Sequence, residues 1–134
     1  MGLQDKKNNH QIKKNIYFFQ SFGHAIDGIK IALHEEKNLK RDLIFIILVI
    51  AFGMIFHVTH LDWVLLILAI SLVVISEMWN TVIENIMDFV TKKHYFPHAK
   101  KIKDMSAGTV LLAVIFSVIV GLYVFVPYLL KFLF

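Results

Sequence analysis

From Leu61 the chain is apolar to Ile75, and it then enters Ser76-Glu77-Met78-Trp79-Asn80-Thr81-Val82-Ile83-Glu84-Asn85-Ile86-Met87-Asp88 with no Gly or Pro between. One helix is predicted to run through both stretches. Glu77, Asn80, Glu84 and Asp88 are spaced i, i+3, i+7, i+11. At about 100° per residue they share one stripe of that helix. Three carboxyl groups and an amide beside hydrocarbon are costly unless they find partners, so such a stripe reads as a functional site. A solvated acidic face of an interfacial helix is the plainer reading, because Met78, Val82, Ile86 and Phe89 occupy the other side. The stripe begins directly after the apolar run, however, which sets Glu77 near hydrocarbon depth and favours the site.

The rest of the chain is consistent with a membrane setting. Of 134 residues, 57% are hydrophobic, and the mean hydropathy of +0.66 exceeds that of ordinary soluble domains. There is no cysteine, which excludes disulfides, thiolate metal sites and a cysteine nucleophile. Met1 to Lys14 is polar and basic, with no cleavable leader and no myristoylation pattern. Residues 1–15 are expected to be a polar, irregular tail. Residues 16–134 are expected to form one all-α membrane domain. Phe18, Phe22, Ile26, Ile29 and Leu33 recur at helical spacing, which predicts an amphipathic surface helix over 16–34.

Three spans are expected, at about 41–58, 61–89 and 106–133. The first holds only 16 apolar residues, Leu43 to Val58, or roughly 24 Å of helix, so Lys40 and Arg41 would have to snorkel. His57 to Asp62 makes a tight polar turn. Thr91 to Lys103 is a basic loop broken by Pro97, and Pro127 is placed to kink the third span. Of the 14 Lys and Arg residues, eight precede the first span and five lie in the second loop. The positive-inside rule therefore predicts a cytoplasmic N-terminus and basic loop, an external C-terminus, and an acidic stripe at the inner face of the plasma membrane. Ala113, Ser117 and Gly121 form a small-residue face suited to close helix packing within or between subunits. Three short spans can hardly satisfy so many polar groups alone, so an oligomer is expected.

Carboxylates at a membrane interface, followed by a lysine-rich loop, suit phosphoryl transfer. Hard oxygens hold Mg²⁺ on a nucleotide, lysines neutralise phosphate, and a further carboxylate takes a proton from a hydroxyl. Glu77 is the most membrane-buried of the acids, so desolvation makes it the better proton acceptor. Glu84, farther toward the cytoplasm, is the better metal ligand, and Glu36 is a candidate for the second. Lys103 and Asp104 precede the third span at the same depth. Gly23 to Gly28 has the outer glycine spacing of a phosphate loop but lacks its Lys-Ser/Thr pair and a preceding strand, and is read as chance. His57/His60 and His94/His98 have metal-ligand spacings but no third ligand, and are read as loop histidines.

Glu77-x-x-Asn80-Thr81-x-x-Glu84-x-x-x-Asp88, followed by Ala99-Lys100-x-x-Lys103-Asp104-x-x-Ala107-Gly108, resembles the signature of the prokaryotic diacylglycerol kinase family, which includes undecaprenol kinases. The resemblance extends from about Phe22 to the C-terminus. It implies a homotrimer of three-span subunits with composite active sites, and ATP-dependent phosphorylation of a lipid alcohol. By that resemblance Glu77 is the general base, while Glu36 and Glu84 hold Mg²⁺ with ATP. Asn80, Lys103 and Asp104 position the phosphates, with Asp88 and Lys100 supporting them. Tyr17 and His24 fall where the family's surface helix borders the nucleotide. The loop Lys92 to His98 lacks the acidic residue often found before the family's histidine. The long N-terminal extension and the Leu39-Lys40-Arg41-Asp42 junction resemble the undecaprenol kinase branch. Undecaprenol is therefore the expected acceptor, with diacylglycerol the alternative. A non-enzymatic membrane oligomer, with the stripe lining a pore, is the remote reading. No nucleic-acid partner is expected.

Overall fold

The computed structural model describes residues 3–134, and the side chains of 17–34, 36 and 38–134. It holds four helices and, among the described residues, no strand: α1 (Leu3–Glu35), α2 (Lys37–Ile55), α3 (His60–Thr91) and α4 (Pro97–Leu133). The chain divides into two units, one ending at Glu35 and the other running from Glu36 to Phe134.

α1 is a unit by itself. It begins at Leu3 rather than near Ile16, so the polar stretch expected to be irregular is helical. From Leu3 to Phe22 there is no Gly or Pro, and Gln and Lys propagate a helix almost as well as Leu. Farther along α1, Phe18, Phe22 and Ile29 are exposed.

In the second unit, α2 starts at Lys37, ahead of its apolar run, and seats Leu39 at 2% exposure. Its apolar part, Leu43 to Ile55, is short, and its first turns carry Lys37, Lys40, Arg41 and Asp42. The connection to α3 turns on His57, whose φ of 49° is left-handed. Thr59 then caps α3 in a reciprocal box. Its hydroxyl accepts from the Asp62 backbone N–H, and the Asp62 carboxylate accepts from the Thr59 backbone N–H at 3.0 Å. From there α3 runs unbroken through the apolar run and the acidic stripe, as the absence of Gly and Pro predicts. It ends in consecutive left-handed residues, Lys92 and Lys93, whose backbone N–H groups bond back to Phe89 and Asp88 carbonyls. Phe96 is extended, as a residue before proline must be, and Pro97 opens α4 where its missing N–H is harmless. Pro127 lies inside α4, yet the helix continues to Leu133.

The main packing is α4 along α3, with α2 touching α3 more lightly. α3 buries Leu66, Ala69, Glu77 and Asn80; α4 buries Ser106, Val110, Ala113 and Val124. The buried positions of α3 fall at intervals of three, eight and three. That keeps them on one side of a straight helix, so the polar stripe is the same face as the apolar one, continued. Toward the far end, Val58, Leu66 and Val124 form a core flanked by Val49, Trp63 and Phe125. There the Tyr128 hydroxyl donates to Asp62 at 2.7 Å, tying α4 to the cap of α3. Ala113 of the small-residue face is spent within the chain, against this interface.

Two helices, α3 and α4, are long and apolar enough to cross a membrane, among the described residues. Charges in the first turns of α2 shorten its apolar stretch below that measure.

Candidate active site

The acidic stripe of α3 is buried at one end and wet at the other. Glu77 and Asn80 are 9% and 4% exposed, while Glu84 and Asp88 are partly exposed. A buried carboxylate needs partners, and Glu77 finds one across the chain on α2. The Asn38 side chain donates to it, with Asp42 and Arg41 close enough to interact electrostatically. Arg41 in turn donates to the Asn38 side-chain oxygen, which fixes the amide with its N–H groups toward Glu77. One turn along α3, the Asn80 amide donates to Glu84 Oε1 at 3.1 Å. Its own Oδ1 is buried without a partner.

The lysine-rich start of α4 supplies the counter-charges. Lys103 pairs with Asp88 across the α3–α4 interface, and both side chains remain partly exposed. Lys100 pairs along its own helix with Asp104 at 2.6 Å, on an open surface. Asp104 is therefore held by Lys100 rather than by its neighbour in sequence. The structure brings Glu77, Asn80, Glu84, Asp88 and Lys103 into one run along the α3 stripe. Glu36 lies at the start of α2 as its N-cap, with no side-chain capping bond, so its carboxylate is not consumed there. Tyr17 and His24 belong to α1, a separate unit, and both are exposed.

Asn38 was not singled out in the sequence, and Arg41 and Asp42 entered only as a snorkelling charge and as part of the 39–42 junction, not as neighbours of Glu77. The available signal was the i, i+4 spacing of Asn38 and Asp42, which puts them on one face as the helix enters its apolar run. Among the described residues, no three His, Asp or Glu side chains gather into a metal-binding group. A divalent ion of the magnesium type keeps waters and takes one or two carboxylates plus phosphate oxygens. Glu84 and Glu36 offer such hard oxygens.

A buried carboxylate, a polar amide with a vacant acceptor atom, and a lysine on the same run are groups a phosphoryl-transfer site can use. Comparison with known proteins agrees. Residues 23–125 match the family model described as prokaryotic diacylglycerol kinase. This chain belongs to that family. It is similar to the undecaprenol kinase of Bacillus subtilis (strain 168), with 35% identity over 82% of this chain and 89% of that one. It also resembles the diacylglycerol kinase of Synechocystis sp., 33% identical over 94% of this chain and 71% of that one. The diacylglycerol kinase of Helicobacter pylori (strain ATCC 700392 / 26695) is 35% identical over 83% and 87% respectively. Membership makes the protein a prokaryotic lipid kinase, and its apolar helices fit a membrane enzyme.

Proposed function

We propose that this family member transfers the γ-phosphoryl of ATP to the hydroxyl of undecaprenol by direct in-line attack, with no phospho-enzyme. Glu77 takes the proton of the attacking hydroxyl. Asn80, Lys103 and Asp104 orient the phosphates, and Glu36 and Glu84 hold Mg²⁺. The ion, when bound with ATP, offsets the charge that develops on the transferring group. By resemblance alone, Tyr17 and His24 of α1 are assigned to ATP, and Asp88 and Lys100 to support. The observation that carries the reading is the burial of Glu77 beside an amide donor at the join of apolar run and acidic stripe. A carboxylate so placed is poised to accept a proton from a hydroxyl presented out of the bilayer.

The similarity to a protein named undecaprenol kinase, over nearly the whole of that chain, supports undecaprenol as acceptor. Similarity to proteins named diacylglycerol kinase supports the glyceride as the second reading. The site is placed at the inner face of the plasma membrane, with α2 as the third span. The lysine-rich ends of α2 and α4 support that orientation. A homotrimer is proposed by the family resemblance. The polar end of α3, with Glu84 and Asp88 partly exposed, gives a neighbouring subunit something to satisfy, whereas Phe45, Ile47, Leu68 and Leu112 on the spans can face lipid.

Glu77→Gln tests the assignment. It preserves shape and hydrogen bonding but not basicity, and it is expected to lower kcat by about 10²–10⁴-fold, the usual worth of a general base. Near-normal phosphorylation of lipid alcohol by that variant would sink the proposal. Undecaprenol and diacylglycerol presented together in one bilayer decide between acceptors by the ratio of their kcat/KM values.

A further inference from the structure

Asp42 has no role in the site as assigned, and it is the odd member of its surroundings. It lies in α2 immediately before the apolar run that starts at Leu43, and its Oδ2 is buried without a hydrogen-bond partner. It also lines a cavity of about 470 Å³ between α2, α3 and α4. The other walls are almost wholly apolar, among them Ile46, Val49, Val74, Val118 and Phe125, with Ser117 and Gly121 leaving room on α4. This volume falls within the roughly 300–1,000 Å³ usual for small-molecule sites, which are likewise apolar with a few fixed polar groups. A carboxylate oxygen left bare at the rim of such a chamber is costly unless a donor arrives. Asp42 is also near enough to Glu77 to feel its charge.

We propose that this chamber takes the first isoprene units or methylenes of the lipid alcohol, and that Asp42 accepts a hydrogen bond from its hydroxyl. The acceptor is thereby held with its hydrocarbon along Ile46 and Val49 and its oxygen between Asp42 and Glu77. A hydroxyl has only one proton, so it is shared. It bonds to Asp42 on entry and passes to Glu77 as the phosphoryl group arrives, while Asp42 keeps its own charge throughout. Asp42 is thus a lipid-binding residue distinct from the base. The inference rests on the lipid-alcohol reading and names the part of the fold that recognises the acceptor.

The test compares steady-state kinetics of full-length wild type, Asp42→Val and Asp42→Asn, with farnesol as the probe alcohol and Mg·ATP varied separately. Asp42→Val keeps the volume but cannot accept. It is expected to raise KM for the alcohol roughly 10- to 100-fold, the effect of losing a hydrogen bond to a charged group. KM for ATP should change by less than about twofold, since no nucleotide contact is lost. Asp42→Asn retains an acceptor and should fall between. A Cβ at Gly121 meets no atom within 4 Å, so Gly121→Leu is the second variant. It should weaken binding of long alcohols more than of short ones. Unchanged alcohol KM in Asp42→Val, or equal loss toward alcohol and ATP, overturns the assignment. Wild-type protein that phosphorylates no lipid alcohol would instead overturn the function proposed above.

Discussion

At the level of single side chains, the site is a sequence of pairings graded by depth. Glu77 takes an amide from α2, Glu84 takes one from Asn80, and Asp88 takes a lysine from α4. The deepest acid thus has a neutral donor and the shallowest has a cation. The Arg41 near Glu77 is turned onto the Asn38 side-chain oxygen, so an amide rather than a direct cation supports the Glu77 charge. Glu84 lies between, one oxygen on Asn80 and the residue partly exposed, which fits the metal-ligand role proposed for it better than that of a base. Glu84→Gln is therefore expected to leave the fold intact and to move the Mg²⁺ activation curve to higher concentration. A neutral amide is a poor partner for a hard divalent ion, and the shift should be about tenfold or more. Superimposable Mg²⁺ titrations of the variant and wild type would remove Glu84 from the metal site. The stripe itself was legible from spacing alone. The pairings were not, because Asn38 and Lys103 reach it from other helices, and no local pattern says which of two neighbouring acids a lysine will choose.

At the level of elements, the helices followed from composition and punctuation. The cap at Thr59, the proline at the head of α4 and the unbroken passage through α3 are all written in adjacent residues. Three boundaries were not. α1 starts earlier than its apolar periodicity, α2 starts before its apolar run, and α4 starts at Pro97 inside the stretch to Lys103 expected to be a loop, because helix propagation through Lys and Asn needs no hydrophobic face once a neighbouring turn is fixed. Close contacts between helices were also hidden. Gly53 is buried on α2, and a Cβ there would sit 2.6 Å from the Trp63 ring tip on α3. Gly53→Ala would gain about 1 kcal/mol of helix propensity. Against that stands roughly 1–3 kcal/mol for overpacking, since the ring is wedged against the Val58–Leu66–Val124 cluster. The clash is expected to win, with a lower midpoint of unfolding in mild detergent. Pairing it with Trp63→Phe should restore stability, because the smaller ring vacates the contact. A Gly53→Ala single variant at least as stable as wild type would show that Trp63 swings aside freely.

At the level of the whole molecule, the arrangement of charge is what supports the proposed orientation of the chain in its membrane. The loop over 92–96, the lysine-rich first turns of α4 and the start of α2 lie at one end of the helix set, where the polar stripe emerges. The other end is closed by the His57–Asp62 turn, which holds no Lys or Arg. Positive residues resist translocation, worth about 2.3 kcal/mol per charge per 100 mV once a membrane potential stands against them. Five lysines at one end against none in the turn at the other is a large bias, and it supports the proposed placement of the site on the side that holds ATP. The chain contains no cysteine, so single cysteines report topology without background. His60→Cys, at the exposed head of α3, should react with a membrane-impermeant maleimide in intact cells. Lys93→Cys should react only after the membrane is opened. α2 then has to cross, despite an apolar stretch of 13 residues from Leu43 to Ile55, roughly 20 Å of helix. Its Lys40 and Arg41 must reach back to the headgroups while the bilayer thins around it. Labelling of both positions from the same side would mean that α2 does not span, and the site would lose the orientation its chemistry requires.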